Sequence, residues 1–337
     1  MSELVGPGAL DLAPRPLAAF EIGCLARQAL QAGRRGRIGA VFERSFYVSI
    51  ADTEVCVGPS GLGGGPLNLR CHGSVGDWRA TGLREGMAAL ASPHELCLPP
   101  HFVISFADAA VWTPAPPGAW SATSLGAGLA ALDALLPERL PGEGLGVLAL
   151  PWRAGGAAQS AVAAAAREPA GALSAFLHRA IARNGDQTSP PVHALHALIG
   201  LGPGLTPSGD DLLGGVLVAL HLLGRPDLAE ALWHGTRGAL ETGTNAISRA
   251  HFTAAARGLG GAALHGILND LLTGKRAALA ARLAAIDHIG HCSGWDALAG
   301  ATIALRAYFS SCRFRGPGSK LPGVVKQISA VRRSGCP

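Results

Sequence analysis

One polar phrase occurs twice in this chain, and each copy stands directly before an apolar run. The phrase is Ser-Gly-x-Asp-x-Leu-x-Gly, found at Ser208–Gly215 and again 85 residues later at Ser293–Gly300. The apolar residues that follow also match, with Val218–Leu220 aligned to Ile303–Leu305. The repeat predicts that two helices begin with the same polar groups at their positive ends, which is a natural place to hold a small anion.

The spacing of Ser and Asp within each copy is that of a capping box. In such a box the Ser side chain accepts a hydrogen bond from a first-turn N–H, and the carboxylate reaches back to the Ser N–H. Ser208 with Asp211 and Ser293 with Asp296 both have this spacing. Either copy taken alone is explained by a plain cap. The duplication, with a local pseudo-two-fold that brings the two helix N-termini together, favours a functional site.

The loop before the first copy strengthens that interpretation. Four glycines and two prolines occur within the dozen residues 200–211. Such a composition fixes an irregular turn that lets a ligand approach the backbone closely. A helix start by itself does not need so much constrained backbone, so we predict a functional role for this loop.

The order of predicted elements indicates an α+β fold, with a β-rich N-terminal part and a mainly helical C-terminal part that carries both motif copies. After a helix over 17–31, strands are expected at 38–50, 54–57 and 101–106, with a turn over 58–66. Ala and Leu at helical spacing predict helices over 157–167, 172–183, 192–199, 228–240, 247–259, 262–272 and 277–286, and the short apolar run 145–150 suggests one further strand. The predicted domains are 1–117, 118–310 and a basic tail over 311–337.

Composition describes a globular chain whose basic charge is concentrated at one end. Of its 337 residues 48% are hydrophobic and 15% are charged, which excludes a disordered protein. The formal net charge is +5, yet residues 306–337 contain seven basic and no acidic side chains. The rest of the chain is therefore nearly neutral. A solvated tail explains this charge better than nucleic-acid binding, because no aromatic interleaving or nucleic-acid module accompanies it.

Cysteine usage and the N-terminal sequence suggest a protein of the reducing cytoplasm. The seven cysteines are scattered, odd in number and include no Cys-x-x-Cys pair, which argues against a disulfide framework and a structural zinc site. The first residues lack the pattern of a signal peptide. The apolar stretch Leu212–Leu223 is too short to span a bilayer. We expect no membrane segment, no metal and no cofactor.

Several side chains near the two motifs have suitable chemistry for a site. Asp211 matches Asp296 and is expected to be the cap partner, whereas Asp210 is matched by Trp295 and is expected to be the freer carboxylate. Asp210 and His291 are therefore the predicted catalytic residues, as a general base or proton shuttle. The predicted anion-binding residues are Gly202, Gly204, Thr206, Ser208, Gly209, Asp211, Ser293, Gly294 and Asp296.

Two weaker patterns lie nearby. In Thr244–His251 the simplest account is a Thr or Asn helix cap, although Ser248, Arg249 and His251 could share a face that offers a cation to an anion. His193 and His196 are three residues apart but lack a clear third ligand, so they do not make a zinc site.

The sequence Gly202–Asp211, together with His291–Gly300, resembles the AllH-like family, long catalogued as a domain of unknown function. The resemblance runs from about residue 30 to residue 310 and leaves out the basic tail. It implies a subunit of an oxamate carbamoyltransferase in allantoin-type purine catabolism, working with FdrA-like and other partners on oxamate and carbamoyl phosphate. The usual carbamoyltransferase phosphate motif, Ser-Thr-Arg-Thr, is absent from this chain. The resemblance therefore implies an active centre shared between subunits or located in a partner.

Two functional hypotheses follow. In the first, the chain is a subunit of a carbamoyltransferase-type complex, and the loop 200–211 binds the phosphate and stabilises an oxyanion while Asp210 or His291 serves as base. In the second, the chain is a non-catalytic subunit that binds a metabolite or acts as a scaffold. Whether the chain is itself an enzyme is left open by the sequence.

Overall fold

The structure is a computed structural model that describes residues 13–73, 75–150, 160–183, 189–287 and 289–314. The contacts divide the chain into two compact units, residues 1–112 and residues 113–337. The first is rich in strands and the second is helical, which confirms the predicted α+β class. Most of the predicted basic tail, from residue 315 onward, lies outside the described residues, as do residues 1–12.

The first unit is built on one nine-stranded sheet, eight strands of which close into a barrel. Its strands follow the order β5-β4-β3-β2-β6-β7-β8-β1-β9, and β1 also pairs with β5, so that eight strands form a barrel. Side chains alternate along the strands, as in β3, where Phe46, Val48 and Ile50 are buried. The elements are β1 (Arg15–Gly23), α1 (Cys24–Ala32), β2 (Arg35–Val41), β3 (Phe46–Ile50), β4 (Thr53–Pro59), β5 (Asn68–Cys71), β6 (Ala88–Ala91), β7 (Glu95–Leu98), β8 (Phe102–Ser105) and β9 (Ala110–Trp112).

The predicted helix over 17–31 is wrong in its first half. Residues 15–23 form strand β1, and only Cys24–Ala32 is helical. Strand β1 pairs with β5, β8 and β9, so backbone hydrogen bonds to three distant segments override its local preference. The predicted strands at 38–50, 54–57 and 101–106 correspond to parts of β2 with β3, β4 and β8.

The second unit consists mainly of helices around an apolar core rich in Leu and Ala. None of the described helices combines the length and the apolar character that a bilayer-crossing segment requires. The helices are α2 (Ala122–Leu135), α3 (Ala161–Ala182), α4 (Val192–Leu198), α5 (Ser208–Leu222), α6 (Pro226–Gly243), α7 (Ala246–Ala256), α8 (Ala262–Thr273), α9 (Leu279–Ile286) and α10 (Ser293–Phe314).

Two predictions for this unit are wrong. The helices expected at 157–167 and 172–183 are one helix, α3, which continues through Pro169 because one buried face runs along both halves. Residues 157–159 of that prediction lie outside the described residues. The strand expected at 145–150 is a 3₁₀ turn over Gly146–Ala149, where Leu145, Leu148 and Ala149 are buried in the helical core.

Helices α5 and α10 pack with their backbones in close contact, and glycine makes this possible. A Cβ atom on Gly215 would lie 1.8 Å from the carbonyl oxygen of Ala297, and one on Gly300 would lie 1.8 Å from that of Leu212. Gly300 lies 85 residues after Gly215, and Ala297 lies 85 residues after Leu212, so each copy of the repeat makes the same contact with the other. The two motif copies are therefore neighbours related by a local pseudo-two-fold, as the sequence suggested.

Candidate functional site

The loop between α4 and α5 is built on glycines in the left-handed region. Gly200, Gly202 and Gly204 have φ values of 73°, 107° and 105°. A Cβ on Gly200 would lie 2.1 Å from the carbonyl oxygen of Gly243, and one on Gly202 would lie 3.1 Å from the Ser208 side chain. Gly204 has open space around its Cβ position. The constrained backbone predicted for this loop is present, and only Gly204 faces open space.

Asp210 holds this loop in place. Its Oδ1 accepts the Gly200 N–H at 2.8 Å, and its Oδ2 accepts the hydroxyls of Thr244 and Ser248, the latter at 2.6 Å. The side chain is buried, with 3% exposed. The prediction that Asp210 is the freer of the two carboxylates is therefore wrong, because both of its oxygens already serve protein donors. Asp210 therefore holds the loop in position, and its general-base role stays a prediction.

The segment Thr244–His251 supports the same loop. Asn245 caps α7 by accepting the Ser248 N–H, and its Nδ2 donates to the carbonyl oxygen of Leu205 at 2.8 Å. This confirms the simple cap. The alternative cationic face is wrong, because Arg249 donates to two backbone carbonyls and burial lowers the pKa of His251 to about 4.

The predicted capping box is not formed at the first copy. The N-cap of α5 is Pro207, and Ser208 is the first residue of the helix with no side-chain cap bond. The hydroxyls instead reach across the pseudo-two-fold. The Ser208 hydroxyl lowers the pKa of the Asp296 carboxyl, and the Ser293 hydroxyl lowers that of the Asp211 carboxyl, so each serine acts on the carboxyl of the opposite copy.

A third hydroxyl lies at the same place. Thr206 Oγ1 is 2.8 Å from Ser293 Oγ, and the Thr206 hydroxyl also lowers the pKa of the Asp211 carboxyl. The two helix N-termini therefore share one group of side chains, made of three hydroxyls and two carboxyls. Of the predicted site residues, the structure brings together Thr206, Ser208, Asp211, Ser293 and Asp296.

The two matched carboxyls differ in their partners. Asp296 is 1% exposed, and its Oδ1 accepts the N–H of Leu145. Burial raises the pKa of Asp296 to about 6, although the hydrogen bonds from Leu145 and Ser208 oppose the rise. The Oδ2 atom of Asp211 is inaccessible to solvent and has no hydrogen-bond partner in the described structure.

Burial favours the protonated form of the Asp211 carboxyl. Burial raises its pKa well above the ordinary value, and the nearby charges of Asp296 and Asp210 act in the same direction. The hydroxyls of Thr206 and Ser293 lower the pKa but do not reverse the effect. When protonated, this carboxyl carries an O–H donor and can donate a hydrogen bond as well as accept one.

The remaining predicted site residues lie elsewhere. His291 is 83% exposed at its side chain, and its Nε2 lies 2.8 Å from Oε2 of Glu143. A Cβ on Gly209 would lie 1.9 Å from the carbonyl oxygen of Leu198, and one on Gly294 would lie 2.8 Å from that of Ile286. The two glycines thus allow α5 and α10 to pack against the preceding helices α4 and α9.

Sequence reasoning missed the contribution of residues 143–145. The Leu145 N–H and the Glu143 carboxylate approach the start of α10 from about 150 positions earlier in the chain. No local pattern identifies them, because a backbone N–H leaves no residue signature and Glu143 lies in a turn-rich segment. Trp295, at the position matching Asp210, is buried and donates its Nε1–H to Asp287 at 2.8 Å.

Comparison with known proteins bears on the part of the chain that holds this site. A family model described as oxamate carbamoyltransferase subunit AllH matches residues 198–305. This match confirms the resemblance to the AllH family, and it spans both motif copies and the loop between α4 and α5. It does not extend over the first unit, which the resemblance from residue 30 had included. No curated protein and no solved structure matched the chain.

Proposed function

We propose that this chain is a subunit of a carbamoyltransferase complex acting on a small amide or ureido acid. The reaction would convert oxamate and carbamoyl phosphate to oxalurate and phosphate, or run in reverse. The match of residues 198–305 to the AllH family supports the enzyme class. The substrates are inferred from the family description together with the chemistry of the side chains at the start of α5 and α10.

One observation carries the proposal, namely the shared group of hydroxyls and carboxyls at two helix N-termini. The hydroxyls of Thr206, Ser208 and Ser293 can donate hydrogen bonds. Burial raises the pKa of the Asp211 carboxyl, and its buried Oδ2 atom has no protein partner. Helix N-termini favour anions, and hydroxyl and O–H donors bind carboxylate or phosphate oxygens. The group therefore suits the anionic end of oxamate, oxalurate or carbamoyl phosphate.

The same side chains can also serve the transfer step. In the forward direction, the amide nitrogen of oxamate forms a bond to the carbonyl carbon of carbamoyl phosphate. The bond from that carbon to the phosphate oxygen breaks, and the proton lost by nitrogen ends on the released phosphate. Oxyanion stabilisation by fixed donors is a large contribution in such reactions. We assign this task to the hydroxyls of Thr206 and Ser208, each of which would turn its single O–H donor from its present partner to the oxyanion.

The complex would need other chains, and we propose FdrA-like partners among them. The family description names a subunit, and this chain lacks the usual Ser-Thr-Arg-Thr phosphate motif. Partners would therefore supply part of the phosphate-binding site. A non-catalytic role as a metabolite-binding or scaffold subunit is the alternative, and the experiment below distinguishes it.

The test is reconstitution of the complex from this chain and an FdrA-like partner, followed by an assay for phosphate-dependent cleavage of oxalurate. We expect turnover by the wild type and a loss of about a hundredfold or more in Asp211→Ala with assembly intact. Asp211→Asn retains a donor and should keep part of the activity. Glu230→Ala, an exposed carboxylate on α6, is the matched control.

Two results would contradict the proposal. A folded, complete complex that is inert towards a panel of ureido acids would remove the transferase function. Full turnover in Asp211→Ala, with only assembly or ligand binding altered, would support the scaffold alternative.

A further inference from the structure

A second set of side chains gathers at the start of α10, outside the hydroxyl and carboxyl group. It consists of the carboxylate of Glu143, the imidazole of His291 and the thiol of Cys292. Their potential ligand atoms all lie within 4.8 Å of one another. The Nε2 atom of His291 and Oε2 of Glu143 are 2.8 Å apart. Sulfur, nitrogen and oxygen donors thus converge on one point from segments 148 residues apart.

The position of Glu143 is fixed by backbone contacts that do not involve its own side chain. Gly144 adopts a φ of 71°, and a Cβ there would lie 2.6 Å from Asp296 Oδ1 and 2.7 Å from Cys292 Cβ. The next residue, Leu145, donates its N–H to Asp296. The segment 143–145 is therefore pressed against the first turn of α10, and Glu143 is held beside His291 and Cys292.

Charge and exposure at this point suit a divalent cation. Glu143 and Asp296 place two carboxyl groups around the thiol of Cys292, and both contribute negative charge there. Cys292 is buried, whereas the side chains of Glu143 and His291 are 71% and 83% exposed. A bound ion would thus have protein ligands on its inner side and solvent on its outer side.

The donor set indicates which ion. Thiolate, imidazole and carboxylate are all ligands of zinc, at bond lengths of about 2.0 to 2.3 Å. Donors around a tetrahedral zinc lie about 3.5 Å apart, a spacing that the two exposed side chains can reach by small rotations. Magnesium and calcium prefer oxygen ligands and do not suit this set.

We propose that Glu143, His291 and Cys292 bind a zinc ion with one coordination position open to water or a ligand. Three protein ligands and an open fourth position are the arrangement of catalytic zinc sites, whereas structural sites are closed by four protein ligands. The expectation of no metal rested on the absence of Cys-x-x-Cys spacing. That reasoning missed a set in which one ligand lies 148 residues from the others.

The test uses cobalt as a spectroscopic substitute for zinc in the full-length chain after chelator treatment. We expect one equivalent of Co²⁺ to give a near-ultraviolet thiolate-to-cobalt absorption band, and Zn²⁺ to displace it. Cys292→Ser should abolish the band. His291→Ala and Glu143→Gln should weaken Co²⁺ affinity by about a hundredfold or more, since loss of outer-shell partners alone costs up to about that factor.

Matched controls locate the site. Cys97→Ser removes a partly exposed cysteine on β7, and His234→Ala removes a histidine that pairs with Glu230 at 3.5 Å on α6. Both should bind cobalt as the wild type does. Absence of the near-ultraviolet band in the wild type, or its persistence in Cys292→Ser, would overturn the proposal.

The proposal can still be tested if one of the variants fails to fold. If Cys292→Ser does not fold, the variants His291→Ala and Glu143→Gln still test the site, because both side chains are exposed. Unchanged cobalt affinity in both variants would overturn the zinc site. Loss of the band in Cys97→Ser would also overturn its location. The measurement needs no substrate, so it stands apart from the transferase assay.

Discussion

The two copies of the repeated phrase have nearly the same backbone contacts but different side-chain partners. In both helices a glycine at the same place in the repeat, Gly215 or Gly300, lies in close contact with a backbone carbonyl of the other helix. In both copies a serine reaches the carboxyl of the opposite copy. The repeat therefore preserves a helix pair, and this explains why the glycines of the phrase recur at the same spacing.

The difference between the copies lies in what surrounds each carboxyl. Asp296 is anchored by the Leu145 N–H and sits beside the buried Trp295. Asp211 follows a glycine loop and has an oxygen without a protein partner. The carboxyl of one copy is thus anchored by a distant backbone N–H, whereas that of the other copy keeps a buried oxygen without a protein partner. We infer that the first copy faces the ligand and the second is mainly structural.

The largest effect is expected where the helix pair itself is disturbed. Gly215→Ala should cost more than about 3 kcal/mol in the free energy of unfolding, because its Cβ would overlap the Ala297 carbonyl. Gly300→Ala should cost a similar amount if the pseudo-two-fold holds. Gly214→Ala is the control, since its Cβ would lie 3.5 Å from the Ala255 side chain and Ala favours helix. Denaturant titration measures the stability of all three variants. Equal stabilities would contradict the close backbone contact between α5 and α10.

The second prediction concerns pH. The folded-state pKa of Asp296, about 6, is above its ordinary value of 3.8, so the folded state binds the extra proton between these values. The resulting stability is present at low pH and is lost as the pH rises through about 6. The gap corresponds to about 3 kcal/mol. Asp296→Asn does not titrate there, so the wild type should lose most of this, about 2.4 kcal/mol, relative to the variant between pH 4 and pH 7.

Denaturant titrations of both proteins across that pH range provide the measurement. A constant difference between wild type and Asp296→Asn would show that this carboxyl is not displaced in its titration. Asp211 should enlarge the difference between the two proteins. The Asp296 charge raises the pKa of Asp211 in the wild type, and this contribution is absent from Asp296→Asn.

The third prediction compares two adjacent carboxylates. Asp210→Ala should cost about 2 kcal/mol, since it leaves the Gly200 N–H without its acceptor and releases the loop from α7. Asp211→Asn should change stability by no more than about 0.5 kcal/mol, because an amide resembles the neutral carboxyl in its donors and acceptors. Thermal or denaturant unfolding measures both changes in stability. A larger loss in Asp211→Asn than in Asp210→Ala would indicate that Asp210 is the freer carboxylate.

The sequence predicted the helical elements better than the strands. Periodic Ala and Leu located α8 within one residue of its observed end, and the repeated serines marked the first residues of α5 and α10. Strand β1 was missed because its pairing with three other strands depends on residues about 50 to 90 positions away. Local preference contains no information about such partners.

The candidate site was predicted in part. The serines, Thr206 and the matched aspartates were found because they recur or lie in the glycine-rich loop. The roles of Asp210 and Asp211 were exchanged, because adjacent helical residues point about 100° apart and only the neighbouring elements show which direction leads to a partner. Thr244 and Ser248, whose hydroxyls donate to Asp210, lie on another segment of the chain.

A modest change in stability should come from the most decisive pair of variants, Ser208→Ala and Ser293→Ala. Each should alter the free energy of unfolding by about 1 kcal/mol, the usual size of one side-chain hydrogen bond. Their effect on ligand binding should differ, since we place the ligand at the first copy. A ligand that binds the folded state protects it by mass action, by about 2.7 kcal/mol at a concentration one hundred times its Kd.

Thermal unfolding in increasing oxamate or phosphate, for the chain alone and with its partners, is therefore the most direct test. We predict protection of the wild type, its disappearance in Ser208→Ala, and its retention in large part in Ser293→Ala. Equal loss in both variants would contradict the difference between the copies. A wild type that neither anion protects, alone or in the complex, would contradict the site itself.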